Sequence, residues 1–107
     1  MSLQLDRCRK VGRLKAMVIG DEDGLVVAWS GDGDTCEEVA ANVAPIAQRM
    51  ENYEGTVDTD EHQFSVRMRR FEVAGTKLFI GAVGGGGETR AKQIQRSIGG
   101  ISRILRA

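Results

Sequence analysis

Two β-branched apolar runs, Leu14–Gly20 and Leu25–Ser30, flank the dipeptide Asp23-Gly24, an arrangement that predicts a β-hairpin. Gly31-Asp32-Gly33-Asp34 then ends the second strand, and Asp34 with Glu37 three residues later has the form of a helix N-cap and its capping-box partner. Cys36, Val39, Ala40, Val43, Ile46, Ala47 and Met50 recur at i, i+3, i+4, i+7 spacing, which predicts a helix running to about Asn52. Pro45 falls inside it, where the missing donor and the crowded carbonyl four residues earlier predict a kink or a local rearrangement. From Asn52 to Glu61 the chain is polar and acidic with neither period, and reads as a surface loop.

Phe64, Val66 and Met68 alternate with Ser65, Arg67 and Arg69, the signature of a half-buried strand. The phase then slips to the odd positions Phe71 and Val73, which predicts a bulge or a tight turn at Arg69-Arg70. Ala74-Gly75-Thr76 reads as a turn. Lys77–Val83 is nearly continuous in apolar character and so is expected at the centre of its sheet. After the four glycines Gly84 to Gly87, Ala91, Ile94, Ile98, Ile101 and Leu105 mark a helix over Glu88–Leu105, with an acidic start and a basic end that suit its dipole. Leu3–Val11 is a weaker helix, with Leu5 and Cys8 on its apolar side. The order is α-ββ-α-ββ(β)-α, an α+β fold in which helices pack on an antiparallel sheet.

The 107 residues suffice for one domain, and the 28% charged and 41% apolar shares match ordinary soluble globular proteins. Disordered, collagen-like and disulfide-scaffold classes are thereby excluded. The longest uncharged stretches, Val39–Gln48 and Leu78–Gly87, are ten residues each, against the roughly twenty needed to span a bilayer. The first twenty residues hold five basic side chains and no apolar region with a small-residue cleavage site, so no secretory signal is expected and a cytoplasmic location follows. Cys8 and Cys36, with 27 residues between them and no C-x-x-C, are expected to be reduced and to bind no metal. The net charge of zero conceals blocks: residues 1–20 sum to +4, 21–62 to −11 and 63–107 to +7. Such blocks suit steering of a protein partner more than attraction of nucleic acid.

Gly84-Gly85-Gly86-Gly87 lies between a strand and a helix, where a phosphate-binding loop would place backbone donors. Glu88-Thr89-Arg90 follows instead of Lys and Ser or Thr, and the G-x-G-x-x-G spacing fails, so a structural turn is the stronger reading and a ligand loop the weaker. His62 stands beside Asp58, Asp60 and Glu61, yet has neither a nameable nucleophile nor an orienting partner and is expected to be a solvated loop residue. Asp21, Asp23, Asp32 and Asp34 lack the twelve-residue calcium-loop pattern and are assigned to turns and caps. Arg67, Arg69, Arg70 and Lys77, joined by Arg90, Lys92, Arg96, Arg103 and Arg106, could form a basic strip. Without aromatic platforms it is expected to be a solvated face or protein contact, with Phe64, Phe71 and Phe79 assigned to the core. No catalytic, cofactor or metal residue is assigned.

The middle helix is the most informative segment. A helix covering a small sheet should carry charge on its outer face, yet Val39–Gln48 has none, and Ala41, Asn42, Ala44 and Pro45 are expected to point outward. Burial of both faces would require a second chain, with the alanines permitting close approach, and the expected interface residues are Val39, Ala40, Ala41, Val43, Ala44, Ala47 and Gln48. Gly99 and Gly100 inside the last helix, each costing about 1 kcal/mol relative to Ala, imply close approach to the sheet or to the first helix, or else a helix break.

Met17-Val18-Ile19-Gly20-Asp21-Glu22-Asp23-Gly24-Leu25-Val26-Val27-Ala28, the alanine-rich helix, and Phe71-Glu72-Val73-Ala74-Gly75-Thr76-Lys77-Leu78-Phe79-Ile80-Gly81-Ala82-Val83 together resemble the Roadblock/LC7 family. The resemblance covers nearly the whole chain. It implies a profilin-like or longin-like sandwich, usually of five strands, that dimerises through its middle helix and an edge strand. Four strands are clear here, and a fifth would arise if Phe64–Val73 split in two. The resemblance further implies no catalytic residues and no defined GTPase-activating arginine. Bacterial members are regulators of small Ras-like GTPases, and eukaryotic ones are dynein light chains or endosomal scaffolds. A non-enzymatic homodimeric module that binds a small Ras-like GTPase, or a related Roadblock-type protein, is therefore the expected function. An assembly scaffold and a nucleotide-binding domain using Gly84–Gly87 are the alternatives. Neither nucleic-acid binding nor membrane insertion is expected.

Overall fold

A computed structural model describes residues 2–59 and 61–106, with the side chains of residues 3–59 and 61–101. The expected position of Leu105 on the apolar side of the last helix, and of Asp60, Arg103 and Arg106, thus lies outside the described side chains. The chain runs α1 (Ser2–Gly12), β1 (Ala16–Asp21), β2 (Val26–Gly31), α2 (Gly33–Arg49), β3 (Asn52–Asp58), β4 (Gln63–Val73), β5 (Thr76–Val83) and α3 (Gly87–Arg106). All five strands join one antiparallel sheet in the order β2-β1-β5-β4-β3. The expected α+β sandwich is thus the observed one, with α2 covering one face and α1 and α3 the other. β5 occupies the centre of the sheet, as its unbroken apolar run predicts.

Alternation along the central strands divides the interior in two. Ala16, Val18, Phe79 and Val83 meet Val39, Ala40 and Val43 of α2, whereas Met17, Ile19, Ile80 and Ala82 meet Leu5, Ile94 and Ile101 of α1 and α3. Each layer is closed by a helix whose apolar stripe is buried, and at about 25 cal/mol per Å² of apolar surface these two layers supply the main stabilisation of the fold.

Two expectations about the strands are corrected. Residues 52–58 are not a loop but the edge strand β3, paired from Asn52↔Arg69 to Asp58↔Gln63. Its only fully buried side chain is Val57, with Tyr53 partly packed on the α2 layer. The strand is therefore held by backbone pairing rather than by its own hydrophobicity. The fifth strand arises here, not by division of Phe64–Val73. β4 itself is continuous and pairs with β5 from Val66↔Val83 to Val73↔Thr76 without a bulge or turn at Arg69-Arg70. The phase slip has another cause: Phe64, Val66 and Met68 face α2, while Phe71 faces the α1/α3 layer. A strand covered on opposite faces along its length needs no bulge to change parity. The sheet's irregularity lies instead between β1 and β2, where Ile19 pairs with Ala28 and Gly20 with Val26.

The helix termini also differ from expectation. Asp32, not Asp34, caps α2: its carboxylate accepts from the Thr35 backbone N–H at 2.9 Å and from the Thr35 hydroxyl at 2.8 Å. These bonds hold the Asp32 pKa below its ordinary value. The helix ends at Arg49, short of Asn52, and continues through Pro45. Pro45 and Ala41 are both exposed, so solvent can satisfy the carbonyl that proline leaves without a helical donor. In α3, a Cβ on Gly100 would fall 2.6 Å from Gln4 Nε2 of α1. That close approach accounts for one of the two glycines, and the helix passes through both unbroken. Among the described residues nothing lies within 4 Å of a Cβ built on Gly99, and its presence has no packing explanation there.

Candidate interaction surface

The charge-free stretch of α2 divides unevenly between inside and outside. Of the seven expected interface residues, Val39, Ala40, Val43, Ala44 and Ala47 are buried in the chain's own core, and only Ala41 and Gln48 are exposed. Ala44, expected to point outward, is 5% exposed because the β1–β2 turn folds over it. A Cβ on Gly24 would lie 3.3 Å from Ala44 Cβ and 3.5 Å from the Ala40 carbonyl. Gln48 Nε2 fastens the same turn by donating to the Glu22 carbonyl at 3.1 Å. The small residues of α2 thus admit a hairpin turn of the same chain. Ala41, Asn42, Pro45 and Gln48 remain as an uncharged exposed stripe.

The glycine segment is occupied by the chain itself. Gly84 and Gly85 take positive φ, 82° and 63°, to turn from β5 into α3. Arg90, 8% exposed, donates through Nη1 to the carbonyls of Gly84 at 2.9 Å and Gly85 at 2.8 Å, and through Nη2 to Glu54 Oε1 at 3.2 Å. Glu54 also receives Arg67 on its second oxygen. Its Oε1 sits 2.7 Å from where a Cβ of Gly87 would be, at the first residue of α3. The anion at this helix start is therefore an internal carboxylate held by two guanidinium groups, and the structural-turn reading of the segment is the supported one. The basic strip is correspondingly divided. Arg90 is buried in this network, Arg67 is paired, and Arg70 and Lys77 lie on the α2 face of the sheet while Arg69 lies on the other.

The remaining titratable residues have local roles. Asp21 Oδ1 accepts from the backbone N–H groups of Asp23 at 2.9 Å and Leu25 at 3.0 Å, closing the hairpin turn. His62 is exposed, lies 3.5 Å from Glu38 and stacks on Phe64. No group of three or more His, Cys, Asp or Glu side chains suited to a metal occurs among the described residues. Both cysteines are free and buried. Burial pushes the Cys36 thiol up to about 11, helped by the nearby Asp32 charge. No described helix is long and apolar enough to cross a membrane.

Composition gave no hint of the contrast between the two sheet edges. β3 pairs with β4 alone and exposes Glu54, Thr56 and Asp58, whereas β2 pairs with β1 alone and exposes Val27 at 43% and Trp29 at 50%, next to Leu25 at 66%. Phe64 and Phe79 are core residues and Phe71 is partly buried, as expected. The single tryptophan is the aromatic side chain left in solvent that sequence reasoning missed. The available signal was an indole in an edge strand whose other members are small or aliphatic.

Neither a protein-family model nor a curated protein matches the chain in sequence. Solved structures do match it in shape. MglB of Myxococcus xanthus superposes with a TM-score of 0.66 at 11% identity, covering 98% of this chain and 94% of that one. A Roadblock/LC7 domain from Streptomyces avermitilis gives 0.63 at 16% identity, with 100% and 98% covered. An MglB solved in a tetrameric arrangement gives 0.67 at 14% identity, with 97% and 86% covered. The five-stranded antiparallel sheet flanked by three helices agrees with the sandwich that the sequence resemblance implies, and over its described length the chain has the Roadblock/LC7 fold.

Proposed function

We propose that two copies of the chain associate through the exposed stripe of α2 and the open edge of β3, and that the resulting dimer binds a small Ras-like GTPase and modulates its nucleotide cycle. The observation that carries this reading is the fold shared over nearly the whole chain with a Roadblock/LC7 domain and with MglB, one of which is solved as a tetrameric assembly. The uncharged stripe Ala41, Asn42, Pro45 and Gln48 supports the helix contact. Neutralisation of Glu54 by Arg67 and Arg90 supports the strand contact, since it lessens the charge repulsion that two copies of β3 would otherwise meet. The module acts by binding and contributes no catalytic residue of its own.

Sedimentation at micromolar concentration should give twice the chain mass. Pro45→Glu should give a monomer, because each copy would carry an unpaired charge into the contact. The same change removes a proline from a helix interior, so the helix itself is not weakened. The dimer should bind its GTPase with different affinity in the GDP and GTP-analogue states, because a regulator shifts an equilibrium only by interacting differently with its two states. A wild-type monomer would refute the association. Equal affinity for both states, with unchanged hydrolysis and exchange, would leave a scaffold.

A further inference from the structure

We propose that the open edge of β2, together with the groove between it and α2, docks a basic extended segment of a protein partner as an added strand of the sheet. The groove has a volume of about 470 Å³ and is lined by Gly24, Leu25, Val26, Trp29, Gly33 and Glu37. Edge strands in monomeric proteins are ordinarily guarded by lysine, proline, inward charge or a covering element. β2 reads Val26-Val27-Ala28-Trp29-Ser30-Gly31, with neither charge nor proline. Among the described residues its bulge near Val27 is the only guarding feature, and it leaves Val27 and Trp29 in solvent.

The strand is also rigidly held from every side but the edge. β1 pairs along it. On the α1 face, Ala28 is buried, and the Ser30 hydroxyl donates to Asp6 at 2.7 Å while accepting from Arg9 Nε at 2.7 Å. On the other face, Val26 packs against the α2 layer. A template already fixed in the extended conformation loses little freedom when a strand is added, which favours binding through main-chain hydrogen bonds.

Charge selects the occupant. Between Asp21 and Glu38 the chain carries seven carboxylates and no Lys or Arg. Glu22 and Asp23 lie in the turn before β2, Asp32 and Asp34 at the helix start after it, and Glu37 on the groove wall. A second copy of β2 would bring this frame against its own image, so the complementary strand is one that alternates apolar residues with Lys or Arg. This surface stands apart from the GTPase reading, because β2 and β3 are opposite edges of the sheet and the proposed dimer uses β3.

Trp29 is the only tryptophan, so its emission reports on this site alone. The probe is the acetylated peptide KVRVKVR, titrated into the full chain at low and high salt, with EVEVEVE and the proline-broken KVPVKVR as comparisons. A saturable blue shift with KVRVKVR is expected, weaker at high salt and absent with both comparison peptides. Val27→Lys, which places a guarding charge on the edge, and Glu37→Lys, which reverses the groove wall, should each weaken binding by roughly tenfold or more. Glu37 is an exposed helix residue, so the second variant serves even if the first fails to fold. No shift, or an equal shift with KVPVKVR, would overturn the proposal, the latter by showing attraction by charge alone. An emission shift that follows the protein's own concentration and disappears in Val27→Lys would overturn it by assigning the groove to a second copy.

Discussion

The two edges of the sheet are built on opposite plans. β2 is apolar, fixed on both faces and open along its edge. β3 is polar, carries Gly55 at its middle, and is tied into the fold by the side chain of Glu54. An edge of the first kind has surface to offer an incoming strand. An edge of the second kind depends on its backbone pairing and on one polar network, because burial of Val57 and part of Tyr53 provides little. The lesson is that openness of an edge and its stability are set by different residues: backbone pairing makes the strand, while side chains decide what can approach it.

The largest effect should come from breaking the network that holds β3. Arg90→Ala removes the donors to Gly84, Gly85 and Glu54 together and should cost about 2–4 kcal/mol in urea unfolding. Arg67→Ala removes only the more exposed partner of Glu54 and should cost about 0–1 kcal/mol. Equal costs would mean that the network does not anchor the edge through Arg90.

That network also explains how much was legible beforehand. Periodicity found α2, β5 and α3 because each buries a stripe or a run against the core, and the Roadblock/LC7 resemblance rested on the β1–β2 hairpin, α2 and the segment Phe71–Val83. β3 was invisible because its Glu54 carboxylate is satisfied by Arg67 and Arg90, which are distant in sequence, and polar composition reads as loop when the partners are unknown. The slip at Arg69-Arg70 was real, but a single strand can be covered from both sides, which one-dimensional phase does not reveal. In α2 the uncharged stretch was legible, and Ala41, Asn42 and Pro45 point outward as expected, whereas Ala44 does not, because Gly24 brings a turn over it. Trp29 was passed over for a similar reason: an isolated aromatic in an apolar run reads as core until the strand order puts it at an edge.

A middle-sized effect is expected on the β2 side. Ser30→Ala leaves the Asp6 carboxylate and Arg9 without their hydroxyl partner and should cost about 1–2 kcal/mol. The same cluster sets a pH dependence. The Ser30 hydroxyl first, with Lys10 and Arg9, lowers the Asp6 pKa from 3.8 to about 2. A depressed carboxylate contributes stability that is fully present above its unfolded pKa and is lost as pH falls through the folded value. Thermal midpoints should therefore fall between about pH 4 and pH 2, and Asp6→Asn should flatten that limb. An unchanged limb in the variant would remove Asp6 as its source.

The smallest stability effects should give the sharpest separation of the two edges. Val27 on β2 and Thr56 on β3 are both exposed, so replacing either with Lys should change monomer stability by no more than about 0.5 kcal/mol. Their effects on association should cross. Thr56→Lys places a guarding charge on the edge assigned to the second copy and should shift sedimentation toward monomer, leaving the Trp29 response to the basic peptide intact. Val27→Lys should do the reverse, preserving the dimer and weakening the peptide response. Because each variant is the other's control for folding and for added charge, a crossed result assigns one partner to each edge. Loss of both properties in one variant, with the other silent, would place both contacts on a single edge, and the opposite plans of β2 and β3 would then have no counterpart in binding.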